Sequence, residues 1–296
     1  MDCKRPDTRY AENSDKSQPS PQTGTIIYGK LPNVIFHLHE ENTMSFILIT
    51  GASSGIGEAF AQRLAAQGHA LILVARREAQ LRALANQLHT EYQVTVEVII
   101  ADLTESNACQ MIEQTLIAQQ WTLNGLINNA GFGDKGAFTA LPLSRQLGMI
   151  QLNVTALVEL TYRVLPHFQT TSTPFIINVA SIAGFLAGPN MAVYYATKAF
   201  VLSFSEALTE ELKPQGIDVS ALCPGATQSE FAAVANLTDS KLFASVSMTS
   251  QEVAKQSLAQ KHKAIVVTGL RNRITLWLMK FSSRALNRKM AARLQT

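Results

Sequence analysis

Tyr194 and Lys198, in the run Tyr-Tyr-Ala-Thr-Lys, stand four residues apart. On a helix that spacing puts both side chains on one face. An ammonium beside a phenol favours the phenolate and lowers a pKa that starts near ~10. A tyrosine prepared in this way passes a proton to or from a substrate oxygen near neutral pH. Tyr195 points about 100° away around such a helix and is the poorer acid.

A second constellation lies far upstream. Thr50-Gly-Ala-Ser-Ser-Gly-Ile-Gly57 joins an apolar run to a helical one. Gly51, Gly55 and Gly57, with Ser53, Ser54 and Ile56 between them, allow a tight turn and close backbone approach. Such a turn aims free helix N-terminal N–H groups at a pyrophosphate. The acidic residue expected roughly 20 positions on, for the ribose hydroxyls of NAD, is missing. Arg76 and Arg77 stand there instead. Guanidinium groups suit a 2′-phosphate, so NADP(H) is expected rather than NAD(H).

These residues need a scaffold, and the apolar pattern supplies one. From Ser45 onward strands and helices alternate, which predicts a parallel sheet with helices on both faces. Strands are expected over 46–50, 70–75, 94–101, 125–128, 175–179, 218–222 and 264–267. Helices are expected over about 55–67, 78–89, 105–119, one long span 143–165, and one from the tyrosine pair to about Leu212. Nothing marks a second domain within 44–270. Residues 1–43 lack a sustained period of 2 or 3.6 and read as a disordered extension. Met44, just before the first strand, is an alternative start. His37 and His39 have no partner cluster, so no metal is expected.

The motifs together resemble a known family. Thr-Gly-x-x-x-Gly-x-Gly at 50–57, Asp102 after the third strand, Asn-Asn-Ala-Gly at 128–131 and Tyr-x-x-x-Lys at 194–198 occur in that order. From about Met44 to Leu270 the chain resembles a single-domain short-chain dehydrogenase/reductase, of the broad branch that includes ketoacyl and steroid reductases. The resemblance implies a doubly wound, three-layer α/β fold with a Rossmann-type parallel sheet of about seven strands. It would put Asp102 and Leu103 at the adenine, and Asn129, Ala130 and Gly131 beside a ribose. Ser181 and Asn153 would complete a Ser-Tyr-Lys-Asn tetrad, Ser181 holding the substrate oxygen and Asn153 supporting a proton path to Lys198. Lys198 would also bind the nicotinamide ribose. Pro224, Gly225, Thr227 and Ser229, the last where the family commonly has Thr, would form the loop that holds the nicotinamide. Residues 226–249 would be a mobile lid, whose Phe231, Leu237, Leu242 and Phe243 suit either an apolar substrate or packing on the domain itself.

The implied activity is hydride transfer between nicotinamide and a carbonyl or alcohol. Two rivals are a cofactor sensor that has lost its chemistry and a sugar-nucleotide epimerase or dehydratase. Tyr194 and Lys198 speak against the first, and the short region after the sixth strand against the second. A homodimer or homotetramer is expected, and no nucleic-acid partner.

Composition sets the remaining bounds. With 47% hydrophobic and 16% charged residues the chain can bury a large core. Three scattered cysteines suit a reducing compartment. No apolar run reaches the roughly 18 residues a bilayer demands, so a cytoplasmic setting is expected. From Val253 to Thr296 there are ten Lys or Arg and no acid, leaving 15 basic against 22 acidic residues elsewhere. Within the tail at 271–296, and just before it, Leu270, Ile274, Trp277, Leu278 and Phe281 mark one helical face. Such a helix either packs on its own domain or on a subunit partner, or lies on anionic lipid as a peripheral membrane contact.

Overall fold

Phe46 and Leu48 enter one core and Ile47 and Ile49 another, because successive strand side chains leave opposite faces. All four are buried, so the first strand carries a helical layer on each side. The computed structural model describes residues 44–169, 173–237 and 248–295. The expectation for residues 1–43, and for Leu242 and Phe243, lies outside these.

The elements run β1 (Ser45–Thr50), α1 (Gly55–Ala65), β2 (Ala70–Ala75), α2 (Glu78–Tyr92), β3 (Val96–Ile100) and α3 (Ala108–Ala118). Next come β4 (Thr122–Asn128), α4 (Leu143–Ile150), a π-helical turn (Gln151–Ala156), α5 (Leu157–Val164) and β5 (Phe175–Val179). A 3-10 turn (Ile182–Phe185) precedes α6 (Ala192–Leu212) and β6 (Asp218–Cys223). The chain continues through β7 (Thr227–Gln228), α7 (Phe231–Val234), β8 (Met248–Thr249), α8 (Ser250–Leu258) and β9 (Ile265–Val267). It ends in α9 (Leu270–Met279) and α10 (Arg284–Gln295).

Seven strands form one parallel sheet in the order β3-β2-β1-β4-β5-β6-β9. Helices α1, α2 and α8 cover one face, with Phe60, Leu64, Leu81, Leu88 and Val253 in that core. Helices α3 and α5 cover the other through Ile112, Leu116, Leu160 and Val164. This is the expected doubly wound α/β sheet.

Three of the departures from the sequence reading have a clear physical reason. The expected helix over 143–165 is interrupted by the π turn at Gln151–Ala156. Helix α3 starts at Ala108 because Asp102 first holds a turn of its own, its Oδ1 accepting from Thr104 N at 3.0 Å and Oγ1 at 2.8 Å. The tail is two helices, since Ser282 and Ser283 break the period and the Ser282 hydroxyl bonds back to Met279 O and to Asn287. Among the described residues no helix is long and apolar enough to cross a membrane.

Candidate active site

Strands β1 and β4 are neighbours, yet the chain leaves them toward opposite edges of the sheet. Loops beyond their C-terminal ends therefore part and leave a crevice. A cavity of about 1170 Å³ opens there. Every strand end contributes: the glycine turn after β1, Arg76 and Arg77 after β2, Asp102 and Leu103 after β3, Asn129 to Gly131 after β4, Ser181 after β5, and Pro224-Gly225 after β6.

The glycine turn is held from β4. Thr50 Oγ1 accepts from the backbone N–H groups of Asn129 and Ala130, both at 3.0 Å. Asn129 Nδ2 returns two bonds, to Thr50 O at 3.0 Å and Gly51 O at 3.1 Å. The Asn129 side chain thus locks the turn, while its backbone lines the cavity. Gly51 has φ +63°, and a Cβ there would lie 2.8 Å from Asn129 Nδ2. A Cβ at Gly57 would run into Gly51 O and sit 2.6 Å from Asn129 Nδ2. Side chains are excluded so that the backbone itself faces the cavity, with the first amides of α1 unpaired by helix geometry.

Of the two arginines expected at a 2′-phosphate, Arg76 was the one singled out as cofactor-binding; the structure favours Arg77. It is the more firmly placed of the two arginines, donating to Ser53 Oγ and O, donating to Ser54 Oγ at 2.7 Å, and pairing with Glu230 at 2.9 Å. Arg76 is 70% exposed and meets Asp102 at 3.5 Å. Burial pushes the Asp102 carboxyl up, but hydrogen bonds from Thr104 and the Arg76 guanidinium outweigh it, and the group lies below its ordinary value. The adjacency of two arginines was visible in the sequence. What distinguishes them is which one reaches the two serines.

Four side chains expected to act together do converge. Ser181 caps the 3-10 turn, its Oγ accepting from Ala183 N at 3.1 Å and donating to Pro224 O at 3.4 Å. Its hydroxyl also hydrogen-bonds beside Tyr194. Lys198 Nζ donates to Val179 O at 2.7 Å and lies 5.9 Å from the centre of the Tyr194 ring. Asn153, buried in the π turn, accepts from Phe132 N at 3.1 Å and donates to Phe132 O at 2.9 Å and Thr197 Oγ1 at 3.1 Å. Gly131 is where these meet: a Cβ there would lie 3.0 Å from Asn153 Oδ1 and 3.5 Å from Lys198 Nζ.

The expected electrostatics need correction. Burial pushes Tyr194 above its ordinary value, the Ser181 hydrogen bond pulls it part of the way back, and Tyr195 opposes that. Burial likewise lowers Lys198 to about 8. Desolvation is the largest influence on both groups, because each would carry its charge inside the protein; at Lys198 only the neighbouring Cys223 opposes it.

The wall beyond Tyr194 is apolar. Leu186, Met191, Phe231, Leu237, Met279 and Met290 line it. The Phe231 ring packs on Tyr194 with centres 5.5 Å apart. Helices α9 and α10 therefore wall the cavity, a role their sequence did not announce. The loop at Pro224–Ser229 lies against the glycine turn, since a Cβ at Gly55 would sit 3.0 Å from Ser229 Cβ. Thr227 Oγ1 donates to Gly225 O at 3.1 Å and stiffens it.

A family model described as short chain dehydrogenase matches residues 45–240. The chain belongs to the short-chain dehydrogenase family. It is thus an oxidoreductase of the dehydrogenase/reductase type. It is 37% identical over 206 residues to an 11-beta-hydroxysteroid dehydrogenase of Pinus massoniana, covering 69% of this chain and 54% of that protein. The alignment thus spans about half the length of that relative. A short-chain dehydrogenase from Sphingobium yanoikuyae, solved in complex with NADPH, is 35% identical with TM-score 0.72, covering 82% of this chain and 94% of that one. A bulky-bulky ketone specific alcohol dehydrogenase from Comamonas testosteroni is 33% identical with TM-score 0.67, covering 82% and 96%.

Proposed function

We propose that this enzyme is an NADPH-dependent reductase of apolar carbonyl compounds, and in reverse an alcohol dehydrogenase. The observation that carries the reading is one continuous cavity with two chemically different halves. One half is walled by glycines whose Cβ would collide with neighbouring residues, so that backbone lines it, with Arg76, Arg77, Ser53 and Ser54 at its end. The other is apolar, and Tyr194 stands between them. The cradle fits a nicotinamide dinucleotide.

Gly51, Gly55, Ile56 and Gly57 would take the pyrophosphate, and Asp102 and Leu103 would flank the adenine. Arg76 and Arg77 would take a 2′-phosphate; no acid stands at the end of β2 to reject one. Ala130, Gly131 and Lys198 would meet the nicotinamide ribose, and Pro224, Gly225, Thr227 and Ser229 the nicotinamide. That group, when bound, supplies or accepts the hydride. Ser181 holds the substrate oxygen, and Tyr194, a neutral phenol at pH 7, gives it a proton.

The named relatives support this, one being solved with NADPH and another described as specific for bulky ketones. We take the setting to be cytoplasmic, in keeping with the unpaired, buried Cys109 and Cys223. A homo-oligomer is part of the same reading. The test follows NADPH absorbance against carbonyls of graded apolar size. Turnover should rise with apolar bulk, and Arg76→Asp should favour NADH over NADPH. If no carbonyl oxidises NADPH while NADPH still binds, the chain is a cofactor sensor and the reading fails.

A further inference from the structure

Helix α9 is fixed by one face and bare on the other. Asn272 Nδ2 donates to Thr268 O at 2.7 Å and lies so close to Gly225 that a Cβ there would be 2.5 Å away. Asn272, Thr275 and Met279 line the cavity. At about 100° per residue, Ile274, Trp277 and Leu278 lie roughly opposite that face. They are exposed, Trp277 at 57%, and Phe281 just beyond them is 76% exposed with its ring 5.1 Å from Trp277. The expectation that this stripe packs on its own domain is therefore not met.

Charge says what covers it. Arg273 and Lys280 lie along one edge of the stripe and Arg271 along the other, by the same helical spacing. Arg284, Arg288, Lys289 and Arg293 follow on α10, and no acid occurs after Glu252. A second copy meeting this face symmetrically would set cations against cations. An anionic bilayer complements both features at once, taking Trp277 and Phe281 into the acyl boundary and the cations at the headgroups.

We propose that α9 and α10 form a docking element for anionic membrane surfaces. Because the inner faces of these helices wall the cavity, docking sets the apolar half of the site beside the lipid. Apolar substrate then enters from the bilayer. The docking stands on the exposed face alone, whereas the delivery of substrate rests on the carbonyl-reductase reading.

The experiment is co-sedimentation of the full chain with vesicles of phosphatidylcholine, with and without 30 mol% phosphatidylserine (roughly the anionic content that gives a strong surface potential). The wild type should pellet with the anionic vesicles at low salt, release as salt is raised, and ignore the neutral ones. Trp277→Glu with Phe281→Glu should abolish pelleting. Lys280→Gln with Arg288→Gln and Lys289→Gln should weaken it about 10²-fold, at roughly fivefold per cation. Neither set touches the cavity wall, so turnover of a water-soluble ketone should be unchanged, while the KM for a vesicle-dissolved ketone should rise. Wild type that stays in the supernatant at low salt overturns the proposal, whatever its activity. So does a lipid-independent dimer that Trp277→Glu and Phe281→Glu dissociate, since a second copy then owns the face. Vesicle binding without any carbonyl turnover would leave docking in place and sink the reductase reading instead.

Discussion

Tyr194 and Lys198 are displaced in opposite senses by one cause. Burial penalises phenolate and ammonium alike, so each is pushed toward its neutral form. The spacing in sequence put both on one helix, where the structure has them beside the cavity, but could not reveal how dry the pair would be. Replacing Tyr194 by Phe should cost ~10²–10⁴ in kcat, the usual worth of general acid catalysis. Tyr195→Phe should keep most activity, because that ring serves to pack over Gly188, where a Cβ would be 2.5 Å from it. Steady-state rates of the two variants decide it, and the reverse ranking would show that Tyr195 is the acid. Lys198 also leaves a mark on stability. Its folded value is about 8 against an ordinary 10.5, so between those pH values the unfolded chain holds a proton the folded one has shed. Stability from this group is therefore lowest below pH 8 and rises as pH climbs to 10.5. Lys198→Met should lack that rise when urea midpoints are compared at pH 7.5 and 10. Equal rises in both proteins would refute the shift. The difference between Arg76 and Arg77 was hidden for a related reason: two adjacent arginines look alike until the fold directs one of them to Ser53 and Ser54.

Strands and most helices were legible because each has a single dominant period. Ile47, Ile49, Leu71 and Leu73 could not be polar without exposing a gap between layers. The π turn was not legible. Met149, Asn153, Ala156, Leu157 and Leu160 are buried at spacings that an unbroken α-helix also satisfies. The extra residue in the turn shows only in backbone hydrogen bonding, which composition does not record. Its consequence is nevertheless specific. Asn153 leaves the turn to clamp both backbone groups of Phe132, and so fixes the end of the Asn129–Gly131 segment. Asn153→Ala should destabilise the fold by about 1–3 kcal/mol for the polar groups it orphans. It should also loosen cofactor binding, because Gly131 would lose the side chain it rests on. Urea unfolding and NADPH fluorescence titration measure the two effects, and a variant unchanged in both would show the clamp to be incidental. The break at Ser282-Ser283 was not legible because serine is favoured at a helix start, as Ser283 is here in accepting from Leu286 N, yet also occurs within helices.

Among the described residues, the exposed apolar faces of α9 and of α4 with α5 differ in charge. On α9 the aromatic stripe is bordered by cations with no acid near them in sequence. On α4 and α5 the exposed residues are Leu143, Leu147, Ile150 and Tyr162. There the nearby cations are already neutralised: Arg145 pairs with Asp134 at 2.9 Å, and Arg163 with Glu113 at 2.6 Å and Glu159 at 2.8 Å. A neutral apolar face can meet its own copy without repulsion, whereas the basic one cannot. Self-association is therefore expected through α4 and α5, leaving α9 free for lipid. Leu147→Glu with Tyr162→Glu places acid across such an interface and should reduce the sedimenting mass to that of one chain at micromolar concentration. Vesicle binding should persist in that variant, and Trp277→Glu with Phe281→Glu should do the converse, losing vesicles while keeping its mass. A wild type that sediments as a single chain would remove the subunit interface from α4 and α5. A Leu147→Glu, Tyr162→Glu variant that left the mass of an oligomeric wild type unchanged would move that interface to another face.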